Sequence, residues 1–97
     1  NDAAKCHNLA GLEFKKKNYD KSLELTDYYL LHFTEYLDEM LFLKGQILEI
    51  LSVDGNGDII QAKDCYEKLV MLYPQSKWYL KAQDRIKYID RFYFNVW

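Results

Sequence analysis

The residues able to carry chemistry are few, and their spacing scatters them. Cys6-His7 and His32 supply a thiol and imidazoles, Asp54-Gly55-Asn56-Gly57-Asp58 supplies alternating oxygen ligands, Lys15-Lys16-Lys17 is a cationic run and Asp38-Glu39 a carboxylate pair. Asp54, Asn56 and Asp58 mimic the first three ligand positions of a calcium loop. The mimicry breaks at Ile59, where the sharp turn requires glycine, and at Cys65, where a bidentate glutamate is required. An elongated turn rich in turn formers accounts for the segment without calcium. His7 and His32 belong to different helical patterns with no third ligand at metal spacing, and adjacent helical residues such as Cys6 and His7 diverge by about 100°. Asp38 and Glu39 diverge equally and read as acidic groups at the positive end of a helix, as the three lysines read as cations at a negative end. No strained nucleophile turn or glycine-rich phosphate loop accompanies a Ser-His-Asp or Cys-His set. The expectation is a chain with no catalytic residue, no metal site and no cofactor.

The bulk composition points the same way. Ninety-seven residues suit one small domain spanning 1–97. Nearly half are apolar, yet one proline and four glycines leave little room for the turns of a sandwich or barrel, so the fold class is all-α. A net charge of −2 argues against a nucleic-acid surface, which needs a concentrated basic patch. No run approaches the ~18 apolar residues of a membrane span. Cys6 and Cys65 fall in separate helical patterns and are expected as buried free thiols, since a disulfide needs Cα atoms within about 7 Å. The chain opens at Asn1 without methionine or a signal-like segment, as a fragment or mature product would.

Five helical segments follow from the periodicity, over 2–17, 19–33, 35–52, 58–73 and 76–95. Asp2 and Thr34 are placed to cap the first and third. Asp58 with Gln61 has the spacing of a capping box for the fourth, Tyr73-Pro74 ends it, and Ser76 caps the fifth. The third helix is apolar around most of its circumference, which predicts a central position. On the fifth, Trp78, Ala82, Ile89, Phe92 and Val96 form one stripe and Tyr79, Ile86, Tyr93 and Trp97 another about 100° away. One stripe packs on the fourth helix; the other is expected to be covered by a dimer partner, a continuing chain or a bound protein, the alternative being that the last residues fold back on the core.

The ladder Ala62, Tyr66, Leu69 and Pro74, at spacings of four, three and five, carries a family resemblance. It resembles the second helix of a tetratricopeptide repeat (TPR), with a small residue, an aromatic, a small or apolar residue and a proline at those steps. Gly45 and Leu48 match the first helix of the same repeat, with about five extra residues relative to the ~34-residue period. An earlier, degenerate repeat has Leu9-Ala10 at the family's Leu-Gly pair and Lys17-Asn18-Tyr19-Asp20-Lys21-Ser22 at its Gly-Asp-Tyr-x-x-Ala turn. There Thr26 replaces the aromatic, Tyr29 a small residue and Thr34 the proline. Trp78 and Ala82 open a third unit without a second helix. The resemblance therefore implies two antiparallel helix-turn-helix TPR units, 2–34 and 35–74 with an extended loop over 53–58, and a C-terminal capping or docking helix over 75–97. Tyr73-Pro74-x-Ser76 followed by Ala82 and Arg85-Ile86 is similar to bacterial periplasmic repeats, such as those of the outer-membrane β-barrel assembly lipoprotein and the Tol-Pal cell-division coordinator.

What this resemblance implies about function is a protein-protein interaction scaffold, with a periplasmic or envelope-associated setting. Ligands of the family usually lie along the concave face of successive first helices. Mapped here, that face comprises His7, Phe14, Phe42, Gln46, Ile50, Tyr79, Gln83 and Ile86, with Gly11, Lys15 and Glu49 beside them. The lysine and asparagine clamp that some members use for C-terminal carboxylates is missing. An extended peptide or amphipathic helix is the expected partner, without nucleic acid or a membrane span, and Tyr93 and Trp97 form the expected terminal interface. A homodimerising structural module with no groove ligand, and a metal-dependent loop module, are the alternatives.

Overall fold

The first turn of the chain is held by Asn1, whose side chain accepts from the Ala4 amide at 2.7 Å, one residue ahead of the expected Asp2 cap. The computed structural model describes residues 1–53, 55 and 58–96. Five α-helices follow in order: α1 Asp2–Lys15, α2 Tyr19–His32, α3 Leu37–Val53, α4 Ile59–Leu72 and α5 Tyr79–Tyr93. The described residues contain no strand. The all-α expectation stands, and each helix lies within a few residues of its predicted span. Each packs on the next, α1 on α2 through to α4 on α5, in a flattened, repeat-like array of 44 × 32 × 19 Å.

The turns show why the helices stop where they do. After α1, Lys17 takes a left-handed φ of 66°. Its amide donates to the Phe14 carbonyl at 3.0 Å and that of Asn18 to the Glu13 carbonyl at 2.9 Å, which satisfies the last carbonyls in a Schellman arrangement. Lysine thus stands where the resemblance has glycine. After α2 the chain leaves extended at Phe33 and turns at Tyr36 (φ 55°), so α3 starts at Leu37 and Thr34 does not cap it. The Tyr29 hydroxyl pins this turn by donating to the Glu35 carbonyl at 2.6 Å. Asp58 caps α4, accepting from the amides of Ile60 at 2.9 Å and Gln61 at 3.4 Å. Ser76 accepts from the Trp78 amide at 3.0 Å and donates to Asp38 at 2.5 Å, which ties the entry of α5 to α3.

Two apolar clusters make the core. One gathers Cys6, Ala10, Tyr29 and Met40; the other gathers Leu41, Phe42, Leu48, Ala62, Cys65, Tyr66, Leu69, Ala82 and Ile89, and Leu30 packs against both. The central position of α3 is as its sequence predicts, since it supplies both. In the first hairpin one polar bond crosses the seam, Ser22 donating to the Ala10 carbonyl at 2.8 Å, while Thr26 bonds back within α2 to the Ser22 carbonyl at 2.7 Å, both side chains fully buried. Ala62 is wholly enclosed, as a close helix approach requires. Of the first α5 stripe, Ala82 and Ile89 are buried, but Phe92 is 71% exposed and Val96 more than half exposed: Phe92 stacks on Tyr88 on the side of α5 away from α4, and Val96 lies beyond the end of α5 at Tyr93.

Gly45 sets the closest approach. A Cβ there would lie 2.6 Å from the Tyr66 ring, which has Phe42 against it at 5.5 Å. Gly45→Ala should cost about 1–3 kcal/mol by overpacking, read from the shift in urea midpoint at unchanged slope, and pairing it with Tyr66→Leu should recover part of the loss. At the first turn, Lys17→Gly should raise stability by up to about 1 kcal/mol, since glycine adopts the left-handed conformation without Cβ crowding.

Candidate functional site

Where α1, α3 and the start of α5 meet, a cavity of about 300 Å³ opens to solvent. Its floor is a ring stack. Trp78 lies on Phe42 with centroids 5.0 Å apart and planes 25° from parallel, and Phe42 is itself only 6% exposed. Met40 and Leu43 continue the floor, Gln46 brings an amide, and Gly11, Phe14 and Lys15 form the α1 wall. Tyr19 holds Phe14 edge-on at 5.7 Å. His7 and Glu39 close one end, Nε2 to Oε1 at 3.2 Å, and so bridge α1 to α3.

A second polar bridge joins α3 to α5. Arg85 grips Glu49 with two nitrogens, Nε at 3.0 Å and Nη2 to the second carboxylate oxygen. This fork fixes α5 on α3 with bidentate geometry, and the Glu49 contact holds the guanidinium charged more firmly than usual. Nearby, the Tyr66 hydroxyl is buried without a hydrogen-bond partner among the described residues. Burial pushes its pKa up strongly, and the Glu49 carboxylate pushes further although the two groups do not meet in hydrogen-bonding geometry.

His7, Phe14, Phe42 and Gln46 therefore converge on one cavity, as the sequence suggests. Phe42 does so as a core residue, so its truncation tests stability before it tests binding. Ile50 is half-buried on α3 and does not line the cavity. Tyr79, Gln83 and Ile86 belong elsewhere. With Ala82 and Ile89 buried, the α5 residues turned to α3 are Trp78 and Arg85, while Asp90 turns to α4, where it pairs with Lys63 at 2.6 Å. At about 100° per residue, Tyr79, Gln83 and Ile86 fall on the α4 side. Gln83 donates to the Tyr79 hydroxyl at 3.1 Å, and Ile86 packs on the core and lines a separate cavity with Val70 and Met71. The α5 positions on the α3 side are instead Lys81, Arg85, Tyr88 and Phe92. Their spacing of four, three and four was visible in the sequence, but the family mapping directed attention one stripe away. Tyr93 is 45% exposed; Trp97 lies outside the described residues.

The other chemical candidates are also placed. Burial pushes both thiols above their ordinary pKa, Cys6 donates to the Leu25 carbonyl at 3.3 Å, and both cysteines are free. Disfavoured thiolates make poor nucleophiles. His32 lies against Tyr28 with centroids 4.2 Å apart, on a different helix from His7. The calcium-like pattern falls on Asp54 and Asn56, outside the described residues, and its third member, Asp58, is engaged in capping α4. No described helix is long and apolar enough to cross a membrane. Comparison with protein-family models, curated proteins and solved structures finds no match to this chain.

The buried phenol gives a pH signature. Tyr66 has a folded pKa raised above the ordinary value near 10, so its contribution is fully present below about pH 10 and is lost as pH rises toward the folded pKa. The two thiols act in the same direction from about pH 8.5. Tyr66→Phe should therefore make urea stability fall less steeply above about pH 10 than in the unsubstituted protein, while changing it by no more than about 1 kcal/mol at pH 7, because the lost hydroxyl has no partner.

Proposed function

We propose that this chain is a non-catalytic protein-interaction scaffold of the tetratricopeptide type. In this reading 2–34 and 35–74 are its two repeats, 75–97 is its terminal helix, and a partner polypeptide lies along its concave face. The observation that supports the reading best is the cavity built on the Trp78–Phe42 stack at the junction of three helices. It is apolar at the base and ringed by an amide, a lysine and a histidine–carboxylate contact, which is the composition of a peptide-anchoring pocket. A bound chain would seat one large apolar side chain on the rings and bond its backbone to Gln46. Aromatic anchors of this kind commonly dominate binding, at about 2 kcal/mol or more per truncation. The envelope setting, with a partner in envelope-complex assembly, rests on the Tyr73-Pro74-x-Ser76 pattern alone.

Selection from a random peptide library on the immobilised protein tests the proposal. Recovered peptides should compete with one another, and Phe14→Ala and Gln46→Arg should each weaken them about tenfold or more with unchanged helicity and sedimentation mass. Equal affinity for both variants and the unsubstituted protein would remove the groove from the reading.

A further inference from the structure

The charge of this chain is not spread evenly. Residues 77–97 carry Lys77, Lys81, Arg85, Lys87 and Arg91 against Asp84 and Asp90, a formal +3, so the remaining 76 residues of a chain at −2 carry −5. The cations of α5 are also threaded through rings. Lys77 and Lys81 stand over Trp78 at 5.4 and 5.0 Å, and Arg85 stands over Tyr88 at 4.4 Å. Phe92 stacks on Tyr88 at 4.4 Å and is largely exposed. Through Trp78 this rail begins at the rim of the cavity beside Phe42 and runs along the side of α5 that faces α3. Of the acids near it, Glu49 is held by Arg85 and Asp90 by Lys63, while Asp84 stands among the rail cations and leaves Lys77 and Lys81 in excess over it. Lys15, at the opposite wall, forms no ion pair among the described residues.

We propose that this cation-and-ring rail, Lys81, Arg85, Tyr88 and Phe92 continuing from Trp78, docks an acidic amphipathic helix of a partner protein. The inference deepens the scaffold reading by naming the class of partner, and it rests on that reading. Charge complementarity selects an acidic occupant. The rail positions recur at four, three and four residues, the ridge against which a second helix packs, so apolar residues of the partner fall on Tyr88 and Phe92 and its flanking carboxylates fall on Lys77, Lys81 and Lys15. A second copy joined through α5 would oppose like charges. A polyphosphate has no apolar face to set on Tyr88 and Phe92, and an anionic lipid surface is the competing occupant that the test separates.

The test uses the full chain and two synthetic peptides with one identical leucine- and phenylalanine-bearing helical face, flanked by glutamate in one and by lysine in the other. Binding is read by fluorescence anisotropy. The glutamate peptide should bind and the lysine peptide should bind at least about tenfold more weakly. Raising salt from about 0.01 M to about 0.1 M, which shortens the screening length from about 30 Å to about 10 Å, should weaken the glutamate peptide. Lys81→Glu and Phe92→Ala, both at exposed positions, should each weaken it about fivefold or more with unchanged circular dichroism. Equal binding of the two peptides, or no binding of the glutamate peptide, overturns the acidic-helix assignment. So does a single-stranded oligonucleotide or an anionic phosphatidylglycerol vesicle that competes for Lys81 more tightly than the peptide. If Phe14→Ala weakens library-selected peptides while Lys81→Glu and Phe92→Ala leave the glutamate peptide unchanged, the scaffold reading survives and the rail falls. If no variant affects any peptide, both fall.

Discussion

The contact between the Gly45 backbone and the Tyr66 ring governs the geometry of everything C-terminal to it. With no side chain on α3 at that point, the ring of α4 comes against the backbone itself. That approach is what encloses Ala62, Leu69 and the phenol completely. It also aims Phe42 and Glu49, on other faces of α3, toward α5, where the first meets Trp78 and the second meets Arg85. A bulkier residue at 45 would separate α3 from α4 and shift both contacts together, because close-packed interiors transmit displacements rather than absorb them.

The candidate groove depends on that positioning in two ways. Its floor is made of side chains that are also core, so its shape is fixed before any ligand arrives. One end is closed by the His7–Glu39 pair, and the Arg85–Glu49 pair fixes α5 on α3 outside the cavity. Both pairs remain partly solvated and add little stability of their own. Their service is orientation: they hold rings and amides in register along neighbouring helices and lower the entropy lost on binding.

Helix number, order and extent were legible from apolar periodicity, because α2, α3 and α4 each bury a stripe that repeats cleanly. The close approach at Ala62 was legible for the same reason. Terminal details were less so. Asn1 outcompeted Asp2 as a cap, and Thr34 lost its capping role because Tyr36 turns the chain with a positive φ that no local pattern announced. Half of the groove could be read, the half on α1 and α3. On α5 the sequence offers two apolar stripes close together, and only the partners of Arg85 and Asp90, contributed by α3 and α4, decide which side faces which helix. Such tertiary pairing is invisible to periodicity. The packing of Phe92 and Val96 on α4 failed because Phe92 turns with Tyr88 away from α4 and Val96 lies past the last turn of α5.

The buried alcohols between the first two helices divide the array into unequal halves. Ser22 and Thr26 spend their burial on carbonyl contacts, whereas the seam between α3 and α4 is filled by Tyr66, Leu69 and Leu48. In a linear array, cohesion is the sum of neighbouring interfaces. The leading hairpin thus joins buried alcohol–carbonyl bonds to a small apolar cluster, whereas α3 and α4 meet through large apolar side chains. One wall of the groove consequently belongs to the half with the alcohol-bonded seam, and its floor to the half packed through rings and leucines.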